Sequence, residues 1–173
     1  EGLKYAKNNL EVKYAVKLRS DIRIHANDCL ITLSLLLKTF KVNKNSPLSS
    51  RIIVDGHGTA KFRPYCLSDV FQFGQVDDIY SYWDVPLWEE GIKKFIDHPK
   101  FNNYLIDDCP LFSETYICST YLMNNGYNPS WELNDWWNVV KRDFITVDYS
   151  LLDLLWYKED SPERNIIDIT FGM

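Results

Sequence analysis

The stretch that decides the fold is Val12-Lys-Tyr-Ala-Val-Lys-Leu-Arg-Ser-Asp21. Its side chains alternate between apolar and mostly basic from Val12 to Arg19, which is the period-two pattern of a β-strand. The strand ends in Arg19-Ser-Asp21, so two opposite charges follow an apolar run. In open α/β sheets, ligands bind beyond the carboxyl ends of the strands. The segment therefore predicts an α/β fold with Arg19 and Asp21 at a ligand-binding edge. The alternative is a turn in which Asp21 caps local backbone.

Working outward from this strand, the sequence predicts alternating elements and then a mostly helical second half. Leu30, Leu33, Leu36 and Leu37 are expected to share the core face of one helix. Gly126 is expected just beyond the end of another helix. The predicted helices cover residues 1–8, 29–40, 69–73, 76–83, 87–97, 114–123 and 133–144, and the predicted extended segments cover residues 22–25, 51–55, 61–65 and 145–147.

The length of 173 residues predicts a single domain over residues 1–173 that can bury a core. The chain begins at Glu1 in a predicted helix, and the strand that carries Asp21 follows almost at once. A nucleotide-binding α/β domain usually places two or three strands before such a motif. We therefore expect this domain to be N-terminally incomplete, as an excerpt of a longer protein.

Composition excludes several classes of function. The net charge of −5 and the lack of a dominant basic patch predict that nucleic acid is not a partner. No apolar run in this sequence approaches the ~20 residues that cross a bilayer, and no signal-peptide pattern is visible in it. The four cysteines lack CxxC spacing, which predicts neither zinc nor a disulfide framework but a reduced, cytoplasmic setting. Membrane association at the inner membrane would be peripheral, through a lipid-linked acceptor, and no strongly amphipathic basic helix is evident to support it.

Two segments together resemble a known family. Lys17-Leu-Arg-Ser-Asp21 and Phe62-Arg-Pro-Tyr-Cys-Leu-Ser-Asp-Val-Phe-Gln-Phe-Gly74 are similar to the K-x-R-[ST]-D and S-D-x-x-x-F-G motifs of the WavE-type lipopolysaccharide-synthesis proteins. That family then has a Glu at the start of a helix, which here is Glu114. The similarity covers roughly residues 2–158. It implies a glycosyltransferase-like fold of the GT-A kind, in which an Asp-x-Asp motif stands where this chain has Arg19-Ser-Asp21.

The resemblance implies a nucleotide-sugar donor, whose diphosphate leaving group must be stabilised by a metal ion or by basic side chains. Asp21 would then hold Mg²⁺ or Mn²⁺ as a hard oxygen ligand. Arg19 and Arg63 would contact the donor phosphates. The open alternative is that Arg19 and Asp21, which lie on the same side of the strand, form a salt bridge with each other.

A sugar transfer also needs a base for the acceptor hydroxyl, and Glu114 and Asp69 are the two candidates. Both are predicted at helix starts, where the helix dipole favours an ionised carboxylate, which equally suits a plain cap. The family pattern favours Glu114 as the base and Asp69 as an acceptor for sugar hydroxyls. Tyr65 and Phe71, together with Phe73, flank Asp69 and are candidates for the floor of a sugar site.

The sequence therefore predicts a glycosyltransferase of surface-polysaccharide or lipopolysaccharide synthesis, which acts on a glycan or a lipid-linked glycan acceptor. The main alternative is a non-catalytic carbohydrate-binding or assembly module that keeps the fold. Another alternative is a metal phosphohydrolase that uses Asp21, Asp55 and His57. It is weaker because these residues are an incomplete set of metal ligands. The more favoured interpretation of His57 is a solvated turn.

Overall fold

A four-stranded mixed sheet organises the chain in the computed structural model, which describes residues 2–87 and 113–156. The strands are β1 (Tyr14–Leu18), β3 (Ile52–Asp55), β4 (Phe71–Gln75) and β5 (Phe144–Val147), in the order β1-β4-β3-β5. β4 runs antiparallel to both β1 and β3, whereas β3 and β5 are parallel. β1, β3 and β5 therefore end at the edge where β4 begins, which we call the carboxyl edge.

Helices and a second, two-stranded sheet surround this sheet. The short strands β2 (Ile22–Ile24) and β6 (Leu154–Trp156) pair antiparallel. The helices are α1 (Gly2–Asn9), α2 (Cys29–Thr39), α3 (Val76–Trp83), α4 (Ser113–Asn124), α5 (Leu133–Asp143) and α6 (Tyr149–Leu152). The α/β class predicted from the sequence is confirmed by this arrangement.

Side chains on the two faces of the sheet form two hydrophobic clusters. Along β3, Ile52 and Val54 face the cluster that includes α3, α4 and α5, and Ile53 faces the cluster that includes α2. This division follows from the alternation of side chains along a strand. All of β3 is buried, as expected for a strand that is covered on both faces. The carboxyl edge is therefore carried by a rigid, fully packed centre.

Several helices lie close to their predicted positions because their apolar periodicity is strong. α3, α4 and α5 each agree with their predicted bounds to within one residue at either end. As predicted, Gly126 lies just beyond the end of α4, and it has a φ of 77°. There, Gly126 N–H donates to the carbonyl of Met123 and Tyr127 N–H to that of Leu122, both at 3.0 Å. These are the two hydrogen bonds of a Schellman motif.

The helix predicted over residues 69–73 is wrong, because residues 71–73 belong to β4 and residues 69 and 70 are bends before it. Ser68 resembled a helix cap, but its hydroxyl donates to Asp55 on the neighbouring strand. Phe71 and Phe73 alternate with Gln72 and lie in the α2-side cluster, which is the pattern of a strand. The extended segment predicted over residues 61–65 is also wrong, since it forms turns and reaches a φ of 59° at Tyr65.

The prediction that Leu30 belongs to the core face of α2 is wrong as well. Leu33 and Leu37 are buried and Leu36 is half-buried, but Leu30 is exposed. The helix predicted over residues 87–97 lies outside the described residues, apart from Leu87. None of the described helices is both long and apolar enough to cross a bilayer.

Candidate functional site

Charged side chains from three segments converge on the carboxyl edge. The segments are the end of β1 with the residues that follow it, the residues that precede β4, and the first turn of α4. Leu18 of β1 pairs with Phe71 of β4, so the residues just after one strand lie beside those just before the other. The charged set comprises Lys17, Arg19, Asp21, Asp69 and Glu114, and we call it the edge cluster.

Lys17 crosses from β1 to the segment that precedes β4. Its ammonium donates to the backbone carbonyl of Asp69 and lies 3.4 Å from Asp69 Oδ2. The same nitrogen lies 4.6 Å from the ring centroid of Trp83, at the end of α3. Burial lowers the pKa of Lys17, and the Asp69 carboxylate opposes this change. Lys17 is therefore a partly desolvated cation between a carboxylate and an aromatic face.

Arg19 and Asp21 form a two-pronged ion pair. Arg19 Nε lies 3.0 Å from Asp21 Oδ1, and Nη2 lies 3.1 Å from Oδ2. These hydrogen bonds raise the pKa of Arg19, and the charges of Asp69 and Glu114 raise it further. The salt bridge that the sequence left open as an alternative is therefore present. The side chains remain 32% and 20% exposed, respectively, so solvent or a ligand can reach both.

Asp55 holds together the loop between β3 and β4, which covers residues 56–70. It is fully buried at the end of β3, and its carboxylate accepts hydrogen bonds from the Ser68 hydroxyl, Gly58 N–H (2.8 Å) and Phe71 N–H (3.3 Å). Burial raises the pKa of Asp55, and the three hydrogen bonds oppose this change. The loop approaches closely at Gly58, where a Cβ would lie 2.5 Å from Ser68 Oγ. Asp55 thus positions the segment that carries Asp69.

Glu114 lies in the first turn of α4, as the sequence predicted. Its carboxylate accepts a hydrogen bond of 3.0 Å from the Ser113 hydroxyl. Burial raises the pKa of the nearby Cys66 thiol, and the charge of Glu114 raises it further, whereas Arg63 opposes both effects. The same carboxylate acts on Arg19. Glu114 and Arg63 therefore both lie near Cys66, on the α4 side of the edge cluster.

Helix α5 anchors the loop over residues 56–70 from the opposite side. Trp136 Nε1 donates to the carbonyl of Ala60 (2.9 Å), and Trp137 Nε1 donates to that of Lys61 (2.8 Å). The Tyr65 hydroxyl donates to Asp135. Burial opposes ionisation of Asp135, yet hydrogen bonds from Tyr127, Tyr65 and Ser130 hold its pKa below its ordinary value. The middle of the loop is therefore held by part-buried hydrogen bonds to α5, in addition to the hydrogen bonds that Asp55 accepts.

The aromatic floor predicted for a sugar site is wrong. Tyr65 and Phe71 are fully buried, and Phe73 is 2% exposed, so all three belong to the hydrophobic clusters. Trp83 borders the edge cluster beside Lys17, although no motif in the sequence marks it. Its indole N–H donates to Gln72 Oε1 at 2.7 Å. Trp83 also lines a cavity of about 460 Å³ together with Lys17, Tyr80, Asp84 and residues of α1.

The described residues do not form a set that would hold a metal ion. Within residues 2–87 and 113–156, no group of three or more His, Cys, Asp or Glu side chains is close enough. Both oxygens of Asp21 face the Arg19 guanidinium. His57 is half-buried and lies 4.8 Å from the ring of Tyr149. Asp55, its partner in the phosphohydrolase alternative, is occupied by internal hydrogen bonds.

These observations define an α/β protein with a cluster of opposite charges at the carboxyl edge of a mixed sheet. The family described as WavE lipopolysaccharide synthesis matches residues 1–139, which is most of the chain, and the chain belongs to this family. The resemblance noted from the motifs is thereby confirmed. No curated protein and no solved structure matches the chain.

Proposed function

We propose that this chain is a GT-A-like glycosyltransferase of lipopolysaccharide synthesis, which transfers a sugar from a nucleotide-sugar donor to a glycan or lipid-linked glycan acceptor. One observation carries the proposal: the K-x-R-S-D end of β1 and the Ser68-Asp69 segment before β4 are in contact at the carboxyl edge. Glu114, the third family position, lies within electrostatic range of Arg19. Residues that are far apart in the sequence thus form one surface.

Lys17 and Arg19 are the proposed donor-binding cations, with Arg63 as a further contact. Departure of a nucleoside diphosphate develops negative charge, which preorganised cations stabilise. Arg19 offers a planar fork for phosphate oxygens, and Lys17 offers a point charge. Because Lys17 is partly desolvated, its attraction to a phosphate is screened less than that of a surface lysine. In the absence of a donor, Asp21 and Asp69 hold these two cations in place.

Glu114 is the proposed base, and Asp69 is proposed to orient a sugar hydroxyl. A base must lie at the rim of the cleft, ionised and within reach of the acceptor. Glu114 is half-buried in the first turn of α4, beside the edge cluster. Asp69 is already engaged by Lys17, so it suits a positioning contact better than proton removal.

The divalent cation at Asp21 stays a prediction. In the described arrangement, Mg²⁺ or Mn²⁺ would have to displace Arg19 from at least one oxygen of Asp21. The residues present do not fit a carboxylate-held metal, and no step of the proposal passes through one. The alternative function is a non-catalytic carbohydrate-binding or assembly module. The ion pairs at the edge cluster favour it, because Asp21 and Asp69 each have a basic partner.

The test is a panel of nucleotide sugars, measured first by thermal shift and then by release of the nucleoside diphosphate. A donor at 100 times its Kd adds about 2.7 kcal/mol, which is about 5–10 °C for a chain of this size. Glu114→Gln is expected to keep the donor shift and lose turnover by about 100-fold or more, the usual effect of removing a general base. Arg19→Gln is expected to lose the shift itself.

Asp77→Asn is the matched control, because Asp77 is a carboxylate in the first turn of α3 that pairs with Lys7 on α1. It is expected to leave both signals unchanged. Running the panel with and without Mn²⁺, on the chain and on Asp21→Asn, tests the metal prediction. Acceptor binding without turnover of any donor would favour the non-catalytic module. Turnover that survives Glu114→Gln would remove Glu114 from the role of base.

A further inference from the structure

Helix α2 carries large apolar side chains on its outward face as well as on its core face. Leu33 and Leu37 pack against the sheet, in the α2-side cluster. On the opposite side, Ile31 and Leu35 are 62% and 54% exposed, and Leu30, at the start of the helix, is 53% exposed. Large apolar side chains that lie together on a surface mark a site of interaction with another protein or with a membrane. The outward face of α2, defined here by Ile31 and Leu35, is therefore expected to be covered by a partner.

Lysine side chains gather at the C-terminal end of this face. Lys13 of the segment before β1, Lys38 at the end of α2 and Lys41 just after it line one cavity of about 350 Å³. Ser49 and Ser50 also line this cavity, and they donate hydrogen bonds from their backbone and hydroxyl groups to the buried carboxylate of Asp78. Its charge is thus already compensated by local donors.

The charge of this region is opposite to that of the whole chain. Residues 29–54 contain four basic and no acidic residues, although the net charge of the chain is −5. An exposed apolar row beside a group of lysines is complementary to the surface of an anionic membrane, where acyl chains and phosphates lie next to each other. A second copy of this chain would cover the apolar row but bring no phosphate to the lysines.

We propose that the outward face of α2 and the adjoining lysine cavity form a docking surface for a membrane of anionic phospholipid. The apolar row enters the boundary between headgroups and acyl chains, and the cavity receives lipid phosphates. The sequence showed no basic amphipathic helix because Lys38 is the only basic residue of α2 and the other lysines lie in neighbouring segments. The inference concerns where the protein resides and holds whichever reaction the edge cluster performs.

Helix α2 closely follows the edge-cluster residues Arg19 and Asp21 in the sequence. Asp21 is followed by β2, and α2 begins at Cys29, so α2 starts near the carboxyl edge and runs away from it. Its far end reaches the start of β1, as the residues that line the cavity show. A docked α2 would therefore hold the edge cluster at a fixed distance from the lipid surface.

The test is co-sedimentation of the chain with vesicles of phosphatidylcholine alone or mixed with phosphatidylglycerol. Binding is expected only to the anionic vesicles and is expected to weaken with added salt. Each lysine near such a surface is worth about a fivefold change in partitioning, so Lys38→Gln with Lys41→Gln should weaken binding about 30-fold. Ile31→Ser with Leu35→Ser should reduce binding by a similar or greater factor, because the apolar row is lost.

Two control variants match these changes elsewhere on the surface. Lys141→Gln removes an exposed lysine from α5, and Tyr5→Ser removes an aromatic side chain that is 62% exposed on α1. Both should bind as the parent chain does. All the substituted side chains are exposed, so thermal melts followed by circular dichroism should be unchanged.

Three results would overturn the proposal. The first is equal sedimentation with neutral and anionic vesicles. The second is unchanged binding by either pair of α2 variants. The third is an absence of vesicle binding together with a dimer that sedimentation velocity detects without lipid. If Ile31→Ser with Leu35→Ser dissociates that dimer, the face belongs to a second copy of the chain.

Discussion

Replacing Asp55 with Ala should release the loop that carries Asp69. The carboxylate accepts hydrogen bonds from two backbone amides, those of Gly58 and Phe71, and from the Ser68 hydroxyl. Leaving a buried donor unsatisfied costs about 1–3 kcal/mol. The Ser68 hydroxyl can rotate toward another acceptor, but the two amides cannot. With two amides left unsatisfied, we therefore expect Asp55→Ala to lower the free energy of unfolding by about 2–6 kcal/mol.

Asp55→Asn separates hydrogen bonding from charge. The side-chain oxygen of Asn can still accept from Ser68 and Phe71, whereas its amide would face the N–H of Gly58 as a second donor. The expected loss is about 1–3 kcal/mol, for one unsatisfied contact. Urea unfolding at neutral pH measures both variants, because a change in midpoint at constant m-value reports stability directly.

The pH dependence gives a further check on Asp55. Its pKa in the folded state is raised above the ordinary 3.8, so the folded state holds the proton more tightly than the unfolded state. The stability that comes from the neutral carboxyl is fully present below pH 3.8 and is lost as the pH rises through the raised folded value. Asp55→Asn should therefore flatten the stability profile above pH 3.8. If Asp55→Ala unfolds within 1 kcal/mol of the parent chain, the account of Asp55 as the anchor of this loop is refuted.

Three other substitutions test the site and its support. Gly58→Ala places a Cβ 2.5 Å from Ser68 Oγ and should cost about 1–3 kcal/mol by urea unfolding, unlike Gly2→Ala, which meets no atom within 4 Å. Lys17→Met keeps an apolar stem beside Trp83 but should weaken donor binding by about tenfold or more. Burial lowers the pKa of Lys17 below the 10.5 of an ordinary lysine. The donor affinity, measured by calorimetry, should therefore begin to fall at a pH below 10.5. An affinity that is independent of pH up to 10.5 would contradict this role of Lys17. Asp135→Asn should lose stability chiefly above pH 3.8, because a lowered pKa contributes stability that disappears as the pH falls through the folded value, and equal losses at all pH values would argue against it.

Much of the fold was predictable where the signal is local. The alternation that ends at Arg19 predicted β1, and the apolar periodicity of α3, α4 and α5 predicted their bounds. The segment 69–73 was misassigned because a Ser followed by an Asp resembles a helix cap. What decides that segment is the carboxylate of Asp55, which is distant in the sequence and accepts hydrogen bonds from Ser68, just before the segment, and from Phe71 within it.

The candidate site was predictable only in part, for a similar reason. The motifs marked Arg19, Asp21, Asp69 and Glu114, and the structure brings them to one edge. Trp83 carries no motif, and its place beside Lys17 depends on how α3 packs against β1. The aromatic residues next to Asp69 in the sequence are core residues, because β4 is the strand between β1 and β3. Neighbours in the sequence are thus poor guides to neighbours at this edge.

The parallel pairing of β3 with β5 has a consequence for biosynthesis. Ile52 pairs with Phe144 and Asp55 with Val147, and β5 lies beyond the residues that the family match covers. Until the ribosome has delivered residue 147, β3 has one side without its native partner, and its Ile-Ile-Val run is an open template for other strands. The pairing of β3 with β5 joins segments that are far apart in the sequence, and such long-range pairing forms slowly. A chain that stops at residue 139 would retain every family motif and still be expected to aggregate.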